Sequence, residues 1–200
     1  MLHKLPNYLL LAFTLLASPS WALDIGDKAP EFTLTSSTGE KVSLKDYADK
    51  VVVLEWYNKG CPYVDKHYKN GDMQALQEKY GKQNVVWLNI NSTRDDHSDY
   101  LGSEGTNKTV ENQKIKAKAM LLDAEGTVGK LYKAKTTPHM YVINKGLLDY
   151  QGAIDDEGDA YADPKEAKNY VALALDSILA GKEVATKETR PYGCSVKYAN

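Results

Sequence analysis

Two cysteines, Cys61 and Cys194, stand in a chain of 200 residues. Cys61 has the more telling surroundings. It follows the apolar run Val51–Trp56 and a short loop, Tyr57-Asn58-Lys59-Gly60, and Pro62 comes directly after it. Proline is favoured at the first position of a helix, so Cys61 is expected at the N-cap. There the unpaired N–H groups and the dipole of the helix favour a negatively charged sulfur, the nucleophilic form of a thiol. Lys59 adds a positive charge nearby. A lone cysteine is more often an inert core residue, but the order strand, loop, Cys-Pro points to a reactive one. Glu55 lies six residues upstream, inside the apolar run. A buried carboxyl there would hold its proton more tightly and exchange it near neutral pH. At a strand end it would face water instead, and periodicity alone does not fix its face.

The remaining candidates are thinner. His3, His67, His97 and His139 are the histidines. His67 is expected on a solvated or half-buried helix face, and His139 near Cys61. One thiolate and one imidazole fall short of a metal centre, so no metal is expected. No flavin or nicotinamide motif is present, so no bound cofactor is expected.

The elements that must hold these residues are predicted as follows. Residues 31–35 and 41–44 alternate around a turn and read as a hairpin. Val51–Trp56 reads as a buried central strand. A helix should run from Pro62 to about Tyr80 with a break at Asn70-Gly71, followed by a strand over 85–90. Residues 91–109 read as a polar loop and 110–118 as a helix. A short strand over 120–122 and a short helix over 127–133 come next. Residues 140–143 and 147–151 flank Asn144-Lys145-Gly146 as a second hairpin. Ala167, Tyr170, Val171, Ala174, Leu175 and Ile178 stripe a helix over 165–179, which Gly181 ends. Alternating strands and helices imply an α/β sheet with a crossover from Val51–Trp56 to the next strand.

Composition narrows the classes. With 42% hydrophobic and 26% charged residues the chain suits one core rather than two domains. A net charge of -2 supplies no basic field for nucleic acid. Lys4, the ten-residue run 8–17 and Ser20-Trp21-Ala22 form a signal-peptide pattern, so residues 1–22 are expected to be removed. The run is about half the ~20 residues needed to span a membrane. The expected organisation is then a leader over 1–22, one domain over 23–181 and a tail over 182–200 that carries Cys194. Export places the chain where disulfides persist, outside the membrane.

Strand, loop, Cys61-Pro62, helix, then Thr137-Pro138 before a strand resembles the thioredoxin-fold redoxins. Ala29-Pro30-Glu31-Phe32-Thr33-Leu34 and Leu122-Asp123-Ala124-Glu125-Gly126-Thr127 resemble the alkyl hydroperoxide reductase/thiol-specific antioxidant branch. Gly60-Cys61-Pro62-Tyr63-Val64, Thr136-Thr137-Pro138-His139-Met140 and Pro191-Tyr192-Gly193-Cys194 are similar to exported, peroxiredoxin-like members. The resemblance implies a thioredoxin-like mixed sheet flanked by helices, with an N-terminal hairpin. It implies that Glu55 is the buried acid that assists proton transfer, and that Pro138 is a cis-proline facing Cys61. Thr137, Pro138, Asn58 and Pro62 would then line the substrate site. Two positions depart from the pattern. Val64 stands where thioredoxins carry a second cysteine. Leu54 and Asn58 stand where peroxiredoxins carry proline and threonine. Copper chaperones of this fold also use a second cysteine, and here that position is Asp65.

The resulting expectation is an exported thiol oxidoreductase. Cys61 attacks a peroxide or a disulfide, Cys194 is the candidate resolving thiol, and a thiol protein or small thiol restores the reduced form. The alternatives are a binding module pinned by a structural Cys61–Cys194 disulfide and a copper-binding chaperone.

Overall fold

A computed structural model describes residues 23–199; the expected leader lies outside them. The strands are β1 (Thr33–Ser36), β2 (Lys41–Ser43), β3 (Val51–Trp56), β4 (Val86–Asn91), β5 (Ala119–Leu122), β6 (Thr136–Thr137), β7 (Met140–Asn144), β8 (Leu147–Gly152) and β9 (Cys194–Ser195). The helices are α1 (Pro62–Asn70), α2 (Asp72–Gly81), α3 (Ser103–Asn112), α4 (Thr127–Leu131) and α5 (Tyr170–Leu179). None of the described helices is long and apolar enough to cross a membrane.

Seven strands form one sheet in the order β2-β1-β5-β4-β3-β7-β8, and β6 and β9 form a separate pair. Strands β3, β4 and β5 run parallel, while β7, β8 and β1 join antiparallel. This is the thioredoxin-like mixed sheet. Central β3 is covered on both faces, which is why its sequence reads as a continuous apolar run. Val53 and Tyr57 face the cluster that holds Tyr68, Met73, Val171 and Leu175 from α1, α2 and α5. Val52, Leu54 and Trp56 face the opposite cluster with Val128, Tyr132 and Tyr141. Cys61 belongs to the first face.

Two element predictions are corrected. A helix, α3, occupies part of the expected loop and ends as the expected helix over 110–118 begins. Its buried side chains are Thr106 and Thr109, so it carries no apolar period to read. The Thr109 hydroxyl donates to the Gly105 carbonyl instead, 2.9 Å away. The last helix starts at Tyr170, not 165. Asn169 caps it by accepting from the Ala172 N–H at 2.8 Å. Pro164–Glu166 is a separate 3-10 turn, and Ala167 between them is extended.

The unpatterned tail is ordered by its partners. The Gln151 N–H donates to Lys187 O at 3.0 Å, and the Thr189 N–H donates back to Gln151 O at 3.1 Å. The Thr189 hydroxyl accepts from the Ala153 N–H at 2.9 Å. Gly152 lets this crossing happen: its φ is 143°, and a Cβ there would fall 2.3 Å from the Thr189 hydroxyl oxygen and 2.5 Å from its carbonyl oxygen. Replacing Gly152 by Ala therefore strains the backbone and lifts the tail together. Gly152→Ala should cost roughly 1–3 kcal/mol in urea unfolding. It should also speed proteolysis between Gly181 and Arg190. Unchanged stability and unchanged cleavage would show that the tail packs without this contact.

Candidate active site

Cys61 caps α1 as expected. Its backbone is extended (φ −88°, ψ 118°), and its carbonyl accepts from the Val64 and Asp65 N–H groups at 3.1 and 2.9 Å. Pro62 takes the first helical position, half-buried, and Lys59 is exposed. The residue itself is only 1% exposed. Its Sγ donates to the carbonyl oxygen of Thr137 at 2.9 Å. The Thr137-Pro138 bond is cis, and both residues are buried.

Thr137 also meets the second cysteine. In the antiparallel pair β6–β9 it lies opposite Cys194, with Thr136 opposite Ser195. Gly193 makes this approach possible. Its φ is 136°, and a Cβ would fall 2.2 Å from the Thr137 carbonyl oxygen. Both cysteines are free thiols, Cys61 buried and Cys194 partly exposed. Burial pushes the Cys194 thiol up to about 11; its hydrogen bond to Cys61 and the charge carried there add to the rise, Asp99 adds a little, and Lys197 opposes. Cys194 therefore keeps its proton at neutral pH. The Thr137 hydroxyl is buried and has no hydrogen-bond partner among the described residues.

Asn58 occupies the site in a different way from the expected one. Its amide donates to the Thr93 hydroxyl at 2.8 Å and accepts from the Gly60 N–H at 2.7 Å. Both ends of the side chain hold the loop that presents Cys61. Asp99 was not singled out by the sequence, yet its carboxyl lies against Gly60, where a Cβ would meet it at 2.4 Å.

Glu55 is fully buried, on the sheet face of Tyr57. Its carboxyl accepts from Trp87 Nε1 at 2.8 Å and from the Tyr68 hydroxyl at 3.0 Å, with Gln77 Nε2 at 3.4 Å. Asn89 supports Tyr68 by donating to its hydroxyl at 2.7 Å. Loss of solvation raises Glu55 to about 7, against these donors, which favour the charged form. The carboxyl thus sits where its proton exchanges near neutrality. Neither sulfur is among its hydrogen-bond partners.

Two histidines differ from expectation. His67 is fully buried rather than half-solvated. Its Nδ1 meets Asp72 at 2.5 Å, and its Nε2 lies 3.3 Å from the Tyr192 hydroxyl and 3.8 Å from Asp155. The Tyr192 hydroxyl donates to Asp155, so this cluster fastens the tail two residues before Cys194. Sequence spacing offered no signal for it, because Asp155 and Tyr192 are remote from α1. His139 is turned to the other sheet face, its ring 4.6 Å from Tyr141. Its Nδ1 accepts from the Lys135 N–H at 3.2 Å. Burial lowers it to about 3, with Lys135 adding to the fall. Among the described residues no group of three or more His, Cys, Asp or Glu is placed to hold a metal ion.

The AhpC/TSA family matches residues 25–151, well over half of the chain. The chain belongs to the AhpC/TSA family. A Helicobacter pylori protein described as a peroxiredoxin, Bcp, is 31% identical over 117 residues, covering 56% of this chain and 67% of that protein. The thiol-disulfide oxidoreductase ResA of Bacillus thuringiensis is 26% identical over 123 residues, covering 62% of this chain and 65% of ResA. Among solved structures, an uncharacterized conserved protein from Geobacillus kaustophilus superposes with a TM-score of 0.77 at 27% identity, over 89% of this chain and 94% of that one. As an AhpC/TSA member the chain is thus a peroxiredoxin-like, thioredoxin-fold oxidoreductase relative. Glu55, Cys61 and Thr137 fall within the family match, whereas Asp155, Tyr192 and Cys194 lie beyond it.

The raised Glu55 gives a pH signature with a definite sign. Between about 4.5 and about 7 the folded chain binds a proton that the unfolded chain has lost, so stability falls as pH rises through that window. The loss amounts to ~3 kcal/mol at most. Urea unfolding of Glu55→Gln should lose this part of the pH dependence while remaining stable at pH 7.5. Parallel pH curves for wild type and Glu55→Gln would mean that Glu55 ionises at its ordinary pH.

Proposed function

We propose that the protein is an exported thiol oxidoreductase in which Cys61 is the nucleophile and Cys194 resolves it. The observation that carries this reading is the placement of both sulfurs at Thr137: Cys61 donates to its carbonyl, and Cys194 pairs across from it. The family match and the relatives described as peroxiredoxin and thiol-disulfide oxidoreductase support the reaction class. The leader pattern over 1–22 supports export.

With a peroxide, the Cys61 thiolate attacks the terminal oxygen and the O–O bond breaks. The products are a sulfenic acid at Cys61 and an alkoxide or hydroxide, which takes a proton from solvent. Cys194 then attacks the Cys61 sulfur. A Cys61–Cys194 disulfide forms, and the thiol proton of Cys194 leaves with the hydroxyl as water. Cys194 must lose its proton to attack, and its raised pKa makes that deprotonation the demanding part of the step. With a disulfide substrate, Cys61 forms a mixed disulfide and Cys194 displaces the bound half. In either case an external thiol, a protein or a small molecule, reduces the internal disulfide. The buried Thr137 hydroxyl is a donor for the reacting oxygen or sulfur. Glu55 is a proton reservoir on the Cys61 face of the sheet, acting without touching either sulfur.

The test is turnover of hydrogen peroxide, and separately of glutathione disulfide, by the chain from residue 23 onward. Cys61→Ser should fall to the uncatalysed rate. Cys194→Ser should not turn over: one equivalent of peroxide should take Cys61 to sulfenic acid and a second to sulfinic acid, visible by peptide mass. Full activity in Cys61→Ser would remove Cys61 from the mechanism.

A further inference from the structure

We propose that the cavity against His139 is a binding site for a small organic carboxylate, a site in which neither cysteine takes part.

The cavity holds about 200 Å³ and lies where separate stretches of the chain meet. Tyr132, Lys133 and Lys135 come from the connection between α4 and β6, and Pro191 comes from the tail. Asp24, ahead of β1, and Glu188, in the tail, are its acidic lining residues. His139, 5% exposed, and Tyr141, fully buried, close it from the sheet side.

His139 brings a donor to this space. Both hydrogen bonds of its ring are made at Nδ1, which lies 3.2 Å from the Lys135 backbone nitrogen and 3.1 Å from the Tyr141 hydroxyl. The Tyr141 hydroxyl places its proton on Tyr132 O, 2.8 Å away. The Lys135 N–H can do nothing but donate, so Nδ1 is the nitrogen without a proton. Burial lowers the ring to about 3, with Lys135 adding to the fall, so the ring is neutral at working pH. A neutral imidazole whose Nδ1 accepts carries its proton on Nε2. Nε2 has no hydrogen-bond partner among the described residues and is not sealed in, so it faces the cavity that the ring lines. The result is an N–H whose direction is fixed by the backbone of Lys135. A donor this deep is costly to leave unmatched, so the site calls for an acceptor.

The charges around it say which acceptor. Lys133 and Lys135 are exposed, and neither forms an ion pair among the described residues. Glu188 is already engaged, accepting from Gln151 Nε2 at 3.1 Å. Of the charged residues that line the cavity, Lys135 is the one whose charge reaches His139. The end of the cavity that holds the N–H donor is therefore its basic end. A negatively charged acceptor seated on Nε2 gains a charge-assisted hydrogen bond and the attraction of a lysine together. Beside that end stand the buried rings of Tyr132 and Tyr141 and the half-buried ring of Pro191. They offer carbon contact and no further N–H groups. An inorganic anion needs donors on every side, whereas a carboxylate needs them at one end and presents carbon at the other. The lining matches the second pattern.

Lys135 allows a clean variant. Its structural contacts are made by its backbone: the N–H donates to His139, and the carbonyl accepts from the Val196 N–H at 3.1 Å. Its side chain can be changed without removing either.

Butyrate is the probe, read through the imidazole nitrogens in long-range ¹H–¹⁵N spectra of the protein. Before any addition, His139 should show its proton on Nε2; a proton on Nδ1 overturns the proposal, since the cavity then has no donor at that point. Sodium butyrate at constant ionic strength should move the Nε2 signal saturably, with a Kd of ~1–50 mM, the range open to so small a ligand. Sodium chloride and sodium phosphate should not. Lys135→Gln should weaken butyrate by ~3-fold or more. His139→Phe, followed through neighbouring backbone amides, should weaken it by at least ~10-fold. No saturable movement at ~200 mM butyrate, well above that range, would mean that the cavity takes water alone and overturns the proposal. An equal response to chloride or phosphate overturns the assignment to carboxylates. An unchanged Kd in Lys135→Gln would show that butyrate binds elsewhere.

Discussion

The carbonyl and backbone of Thr137 join the two halves of the site. Its oxygen accepts from Cys61 on one side, and its strand partner on the other is Cys194. A disulfide requires Cα atoms within about 7 Å, a tolerance that few accidental contacts meet. The proposed Cys61–Cys194 bond would depend on a two-residue strand pair, and that pair depends on Gly193, because any side chain there would strike the Thr137 carbonyl. Cys61 is fixed independently, by the loop that Asn58 braces and by its place as cap of α1. One rigid element therefore presents Cys61, and a strand addition presents Cys194.

The sheet face that carries Cys61 also buries a polar network. Glu55 lies between Trp87, Tyr68 and Gln77, with Asn89 behind. Each donor offsets some of the cost of burying a carboxylate, and together they leave the acid balanced between its charged and neutral forms near neutrality. A smaller set would hold it protonated throughout the working range. The His67 cluster is a second polar network, built around a fully buried imidazole, but it serves the tail. It joins α1, Asp155 and Tyr192, so the helix that Cys61 caps and the tail that carries Cys194 share one anchor.

Much of this was legible in the residues. Val51–Trp56 reads as a central strand because it is covered on both faces, and Cys61-Pro62 reads as a helix start because proline is tolerated there. The hairpins announce themselves by alternation. What stayed hidden has physical causes. Helix α3 buries threonines, so its apolar period is missing. Asn169 and Asp163 are both good caps, and only the fold decides which starts the long helix. The face of Glu55 depends on the register of its neighbours. Asn58 is a polar residue near Cys61, which invites a substrate role, while its hydrogen bonds run to Thr93 and Gly60. The tail has no pattern of its own because its order is borrowed from the surfaces it crosses. Asp99, Asp155 and Tyr192 join the site only through tertiary contacts, at separations that no local motif spans.

The distance between the cysteines along the chain also sets an order of events in biosynthesis. Cys61 precedes Cys194 by 133 positions. Under the proposed export, a chain threaded amino end first would offer Cys61 to an oxidising compartment well before Cys194 arrives. Until residue 194 follows, β6 is an uncovered strand edge, the kind of surface that pairs with other chains. Arrival of the tail closes that edge and supplies the second thiol in the same movement. A chain cut short before Pro191 has neither protection, and folding oxidases, holding chaperones and proteases would meet it as an open, single-cysteine intermediate.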